Sequence, residues 1–332
     1  MAIPLVIVRL TSVVAGFFLA SAAATAQDFP SRPIKLIVAA NAGGPQDILG
    51  RALGEGYRAR KGQNFIIENR PGGNFMIGAQ ACKNAPPDGY TLCMFSIGAI
   101  SINPWLYTNL GYDPETDLEP VINIGSGRSV LLLHGSVPAK NLKELTAYTQ
   151  QNPDKLNYAS LGIGGGSHLL IEWVKYNIGA KMTHVPYAGA APALLAFERG
   201  ELHLVNPLPV PQVQEIIKSG RGRGLLAFGG RIPELPDVPT PPEAGLPPLM
   251  FDNWFGLFAP AGTPPKLIDE INRDLVAVIK EPSFNQKYIE GLGFATVANS
   301  AAEFKKSLPG YRDHAGELVR LSGIRKSDAA PR

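Results

Sequence analysis

The stretch Ile34–Asp47, IKLIVAANAGGPQD, restricts what this chain can fold into more than any other. Ile34, Leu36, Ile37 and Val38 form an apolar run too short for a helix, which reads as a buried strand. The run breaks at Asn41, Ala42, Gly43, Gly44 and Pro45, and Ile48, Leu49, Ala52 and Leu53 then recur at helical spacing. A strand, a glycine turn and a helix start leave unpaired backbone N–H groups at the strand's carboxyl end. Such a turn favours an anion. The anion must be small, because Pro45 removes one donor and no Lys or Arg lies between Lys35 and Arg51. A plain strand-to-helix connection is the competing reading of an isolated Gly-Gly-Pro. A second turn of the same kind, Gly162–His168 (GIGGGSH), favours the ligand reading.

Residues 1–26 read as a targeting segment outside the fold. Arg9 precedes an apolar run from Leu10 to Leu19, and small residues end in Ala24-Thr25-Ala26, an A-x-A cleavage signal. The apolar core falls short of the ~20 residues a spanning helix needs. A cleaved signal peptide, a mature chain starting near Gln27 and export to the periplasm are therefore expected. About 300 residues remain, enough for two domains. Lys and Arg total 31 against 28 Asp and Glu, with no basic run, so no nucleic-acid partner is expected.

After the opening unit, strands and helices alternate. Phe65–Glu68 reads as a strand, Arg70–Asn74 as a turn, Met76–Asn84 as a short helix and Thr91–Phe95 as a strand. The pattern predicts a mostly parallel sheet with helices on both faces. Ligands of such sheets sit beyond the strands' carboxyl ends, the edge on which NAGGPQD, RPGGNFM and FSIGAIS all fall. Ser96 supplies a small polar group there. Cys82 and Cys93, on a helix and the next strand, could be neighbours; an exported chain permits a disulfide, and two buried thiols are the alternative.

A second unit begins near Gly125. Val130–Leu133 reads as a strand, and Asn141 as the cap of a helix over Leu142–Gln151. Leu156–Ser160 is a strand, followed by GIGGGSH and a helix over Leu169–Ile178. Strands are also expected at Thr183–Val185, Leu202–Val205 and Gly224–Phe228. The proline-rich Pro233–Pro248 reads as a return crossover, and Asp252–Phe258 as re-entry into a sheet. Thr263 is expected to cap the next helix, and Ser300–Glu303 forms a capping box for the last. A domain interrupted by another, with two crossings, is the layout of a hinged clamshell. Lobe one takes residues 27–125 and 250–332, and lobe two residues 126–249.

Several chemistries are excluded. GIGGGSH places Ser167 where a dinucleotide fingerprint needs its third glycine, and no acidic residue follows ~20 residues on. No Gly-Lys-Ser/Thr occurs, so it is not a phosphate loop of the Walker type. Ser167 is not in G-x-S-x-G, and adjacent Ser167 and His168 point apart on a helix, which argues against a hydrolase. His134, His184, His203 and His314 lack metal spacing. No cofactor and no enzymatic activity are expected. The nest of N–H groups and the Ser167 hydroxyl suit one carboxylate.

Together FPSRPIKLIV, GGPQD, IENRPGG, IGAQ, PPDGYTL, INPWLY, LNYASLGIGGGSHL, HVPYAGAAPAL, PELPDVPTPPEAG and WFGLFAPAGTP make the chain resemble the Bug family. These are extracytoplasmic solute receptors of tripartite tricarboxylate transporters. The resemblance runs from Phe29 to about Leu292. It implies a two-lobed type II periplasmic binding fold that closes on a small carboxylate. It also implies a monomer whose partners are membrane transporter subunits, with a sensor protein as the alternative partner. Carried over, the gripping positions are Ala42, Gly43, Gly44 and Asp47 in lobe one, and Gly164, Ser167, Tyr187 and Gly189 in lobe two. Asn41, Phe75, Met76, Ser96 and His168 complete the candidate ligand-binding set.

The chain departs from the family pattern at Asn41-Ala42, at Asn74-Phe75-Met76, at Gly200–His203 and at Asn206–Pro209, which leaves the ligand open. Phe75 and Met76 stand where the family tends to have small polar residues. If they line the cleft, an aromatic edge and a thioether favour an aromatic or otherwise apolar carboxylate over citrate; the alternative is that they pack on the neighbouring helix. Trp105 and Trp254 are candidates for further apolar wall, and Arg128 for a second carboxylate contact.

Overall fold

The computed structural model describes residues 29–187, 189–249, 251 and 253–327. The expected targeting segment lies outside these residues, as does Met250 at the second expected crossing. The strands are β1 (Ile34–Val38), β2 (Phe65–Asn69), β3 (Thr91–Ser96), β4 (Leu118–Gly127), β5 (Ser129–His134), β6 (Asn157–Ser160), β7 (Thr183–Pro186), β8 (Leu204–Val205), β9 (Gly222–Phe228), β10 (Asn253–Pro260) and β11 (Phe294–Thr296). The α-helices are α1 (Pro45–Lys61), α2 (Met76–Lys83), α3 (Asn103–Leu106), α4 (Leu142–Gln151), α5 (Gly166–Ile178), α6 (Ala190–Glu198), α7 (Pro211–Lys218), α8 (Pro265–Ile279), α9 (Pro282–Phe284) and α10 (Ala301–Ser322).

Two sheets result, in the orders β11-β4-β10-β3-β1-β2 and β7-β6-β8-β5-β9. Both are mixed rather than mostly parallel. β1 pairs in parallel with β2 and β3, but β10 runs antiparallel to β3 and β4, and β11 antiparallel to β4. The antiparallel pairs arise because the chain leaves the first sheet at the end of β4 and returns to it along β10. In the second sheet β6 is parallel to β7 and β8, while β5 is antiparallel to β8 and β9. The fold is a two-lobed α/β architecture, and the parallel strands β1–β3 and β6–β8 carry both glycine turns at their carboxyl ends.

Local chemistry sets these elements. Pro45 opens α1, where its missing N–H costs nothing, and Gly62 closes it in a left-handed conformation. The Asn141 side chain accepts the Glu144 N–H at 2.9 Å, the expected cap. Ser300 and Glu303 form the expected capping box. Thr263, by contrast, does not cap α8: its hydroxyl donates to Pro260 O at 2.7 Å, and Pro264 occupies the cap position.

One apolar cluster lies between the first sheet, α2 and α10 and continues into the second lobe through Leu169, Leu170 and Trp173 of α5. A second cluster fills the space under α1 and α8. Cys82 and Cys93, both fully buried, form a disulfide that ties α2 to β3 across a Cα–Cα distance of 6.1 Å.

Candidate functional site

In lobe one, β1 delivers the chain into Asn41, Ala42 and Gly43, all exposed. Gly43 has φ +80°, a conformation that favours glycine. The Gly43 N–H donates to Asp47 Oδ2 at 2.9 Å, and the Gly44 N–H to Asn41 O at 3.3 Å. Asp47 is buried beneath the turn. It accepts from Arg51 Nη2 at 2.9 Å and from Asn69 Nδ2 at 3.0 Å, and Asn69 also reaches Ala40 O at 3.1 Å. Burial pushes the Asp47 carboxyl up, but hydrogen bonds from Arg51, Gly43 and Asn69 outweigh it and hold it below its ordinary value. Asp47 therefore braces the turn from below. Sequence reasoning took it as a gripping residue and missed Asn69 and Arg51; Arg51, four residues on along α1, was the available signal.

Asp47→Ala is expected to cost ~2 kcal/mol of stability, the scale of hydrogen bonds to a charged group. Asp47→Asn should lose less, because its carbonyl still accepts the Gly43 N–H. Urea denaturation of both variants checks the order.

The next turn places Asn74 (φ +49°) and Phe75 (φ +75°) in the left-handed region. A side-chain network holds them there. Asn74 Nδ2 donates to Asn103 Oδ1 at 2.9 Å and to Tyr107 Oη at 3.3 Å, and Asn103 Nδ2 returns a bond to Asn74 O at 2.7 Å. The Phe75 ring lies over Gly98, where a Cβ would come within 2.7 Å of it and 3.4 Å of Ser96 Oγ. Phe75 thus covers the edge that ends at Ser96, itself buried. Met76 does not join it: as the first residue of α2 it turns into the core with Ala79 and Cys82. Trp105 and Trp254 also leave the cleft. Trp105 lies against Gly316 and donates to Arg312 O at 2.9 Å on α10, and Trp254 is fully buried against Phe304.

In lobe two, Gly164 is buried with φ +75°, and its N–H donates to His168 Nδ1 at 2.9 Å. The Ser167 hydroxyl accepts the Leu161 N–H at 3.1 Å, so both groups stabilise the turn itself. Gly166 and Ser167 begin α5, where the first N–H groups have no partner within the helix. A Cβ on Gly164 would stand 2.3 Å from Leu106 of α3 in lobe one, and one on Gly166 3.4 Å from Phe251. The lobe-two turn therefore abuts α3, the helix that follows the segment beginning at Gly98. Half-buried Tyr187 donates its N–H to Ser160 O at 2.8 Å, and Gly189 caps α6. Arg128 sits elsewhere. It lines a crevice of about 500 Å³ with Pro209, Gln214, Glu234, Glu290 and Thr296, on the β11 side of the crossing strands. The lobe-one glycine turn follows β1, toward the opposite edge of the first sheet from β11.

Two sheets joined by two crossings, with a glycine turn and a helix start after β1 and after β6 and the second of these turns against Leu106 of α3, have the layout of a two-lobed binding protein. Residues 49–323 match the family described as the tripartite tricarboxylate transporter family receptor, and the chain belongs to it. It is a family of solute-binding receptors, not of enzymes. Rpa4515 of R. palustris with adipate is 30% identical and superimposes with a TM-score of 0.80 over 90% of this chain and 100% of that one. The periplasmic binding protein BugD is 30% identical, with a TM-score of 0.77 over 90% and 100% of the two chains. MatC of Rhodopseudomonas palustris with bound malate is 27% identical, with a TM-score of 0.76 over 88% and 100%. These relatives support a periplasmic location. They also support capture of a carboxylate at the level of the family.

Proposed function

We propose that this protein captures a small organic acid between its lobes in the periplasm and, as a monomer, delivers it to the membrane subunits of a tripartite transporter. The lobes are residues 27–125 with 250–332, and 126–249, and the chain reaches the periplasm through a signal peptide over residues 1–26. The observation that carries this reading is the pair of turns. Each ends a parallel strand and opens a helix whose first backbone N–H groups have no partner within the helix, and we read both as facing one ligand. Asn41, Ala42, Gly43, Gly44 and Ser96 form one wall. Gly164, Ser167, Tyr187 and Gly189 form the other, with His168 acting from beneath. The adipate and malate bound to two relatives support a carboxylate as the captured group.

The ligand is an aromatic or otherwise apolar mono- or dicarboxylate rather than citrate. Three apolar groups support this: the Phe75 ring, part-buried over Gly98 and packed against the core, and Leu161 and Ile163 of the lobe-two turn, which are 53% and 49% exposed. Exposed apolar side chains beside a carboxylate site gain by covering a ligand's carbon skeleton. A thermal-shift panel of adipate, malate, citrate, benzoate and terephthalate tests this, since a ligand that binds the folded state raises its apparent stability. The apolar acids should stabilise most. Phe75→Ser should weaken terephthalate about tenfold while changing malate little, a loss of ~1.4 kcal/mol. Tight citrate binding with no response to benzoate or terephthalate overturns the assignment.

A further inference from the structure

The lobe-two turn rests on a partly buried group of ionisable side chains, of which the carboxylate reading uses only His168. His168 of α5 and His184 of β7 stack face to face, with ring centroids 3.9 Å apart and planes 13° from parallel. Tyr158 of β6 stacks on His184 at 5.0 Å. The Tyr158 hydroxyl donates to Glu172, which also pairs with Lys175 at 2.6 Å and lies 3.9 Å from His168 Nε2. These five side chains, from β6, α5 and β7, are the titratable groups packed around the stack.

Each histidine holds one strut of the turn. His168 Nδ1 accepts the Gly164 N–H at 2.9 Å, which requires an unprotonated Nδ1 and places the ring proton on Nε2. His184 Nε2 lies 2.6 Å from Ser160 Oγ. Ser160 Oγ accepts the Gly162 N–H at 3.2 Å and donates to Gly162 O at 3.0 Å, which leaves His184 Nε2 as the donor into Oγ. Gly162 and Gly164 both have positive φ, and these two contacts hold them, along with the bonds from the Leu161 N–H to the Ser167 hydroxyl and from the Gly165 N–H to Gly162 O.

We propose that His168 and His184 are positioning residues that set the lobe-two turn in its ligand-accepting shape through Gly164 and Ser160, and that this requires an uncharged His168 with an unprotonated Nδ1. The proposal rests on the carboxylate reading above. Protonation of Nδ1 would replace an acceptor with a donor facing the Gly164 N–H and open the turn. Burial already pulls the His168 imidazole down to about 4, so the neutral form prevails at neutral pH.

Calorimetric titration with adipate and terephthalate at pH 7.5 compares wild type, His168→Asn and His168→Leu. Asparagine Oδ1 can take the place of Nδ1, whereas leucine fills space without accepting a bond. His168→Leu should lose at least tenfold in affinity and exchange its Gly164 amide at least tenfold faster, while His168→Asn should stay within about threefold of wild type in both. Equal behaviour of the two variants, or unaltered Gly164 exchange in His168→Leu, overturns the proposal. Should His168→Leu not fold, nitrogen NMR of wild type decides: the neutral Nε2–H tautomer supports the assignment, and a proton on Nδ1 at pH 7.5 refutes it. Wild type that binds neither acid while its Gly164 amide depends on His168 refutes the carboxylate reading and leaves the loop assignment standing.

Discussion

Lowering the pH from 7 to 4 is expected to remove about 3 kcal/mol of folding stability through His168 alone. An imidazole in the unfolded chain titrates near 6.5, and in the folded protein burial, then the neighbouring His184, pull His168 down to about 4. Between these values the unfolded chain binds more protons than the folded one. Stability therefore rises with pH across this window and is lost as pH falls through it. Burial lowers His184 and His203 as well, which adds loss of the same sign. Asp47, held below its ordinary value, contributes stability that is present above the unfolded carboxylate range and lost below it. Urea denaturation at pH 7, 5.5 and 4 measures the sum, and His168→Asn isolates the imidazole's share by flattening the slope. Stability constant to within about 0.5 kcal/mol between pH 7 and 5 contradicts the burial of a neutral His168.

Removing the disulfide should be comparably damaging. Cys82 and Cys93 are 11 residues apart, and closing a loop of that size restricts the unfolded chain by ~3 kcal/mol in the chain-entropy account. The double variant Cys82→Ala/Cys93→Ala should unfold at markedly lower urea concentration than the oxidised wild type, with the slope of unfolding raised by a more expanded unfolded chain. Both cysteines lie in the core under α2, away from the turns, so carboxylate affinity at low temperature should fall far less than stability. A double variant as stable as wild type, or reduced and oxidised wild type unfolding together, refutes this.

The elements legible in the sequence were those with local signals. β1, α1 and α4 follow from apolar spacing, Pro45 at a helix start and the Asn141 cap, and α10 from its capping box. β4 was missed because Leu118–Gly127 is buried on nearly every residue and so shows no alternation, while Pro120, Asn123, Gly125 and Gly127 read as turn chemistry. Those glycines serve close approach instead: a Cβ on Gly127 would stand 2.7 Å from Asn253 O on β10. β11, three residues long, carries no pattern at all. With β4 and β11 unseen, the first sheet read as mostly parallel; in the second the strands were expected, but the antiparallel run of β5 against β8 and β9 has no local signal.

At the site, the sequence located the two turns but not how their polar groups are partnered. Asp47, Ser167 and Gly164 look like free ligand contacts in a linear reading. In the fold, tertiary neighbours such as Asn69, or helix neighbours such as Arg51 and His168, engage them. The same limit applies to Met76, whose place in the first turn of α2 sends it inward while Phe75, held at positive φ, stays over Gly98.

Small-angle scattering of the mature protein, with and without a carboxylate shown by calorimetry to saturate it, tests capture between two lobes most directly. Neither turn alone can surround a ligand, so we expect binding to rotate the lobes together about the two crossings between the sheets, the first near Gly125. The account predicts a smaller radius of gyration and a shorter maximum dimension on binding. Superimposable scattering curves from the free and the saturated protein would contradict it.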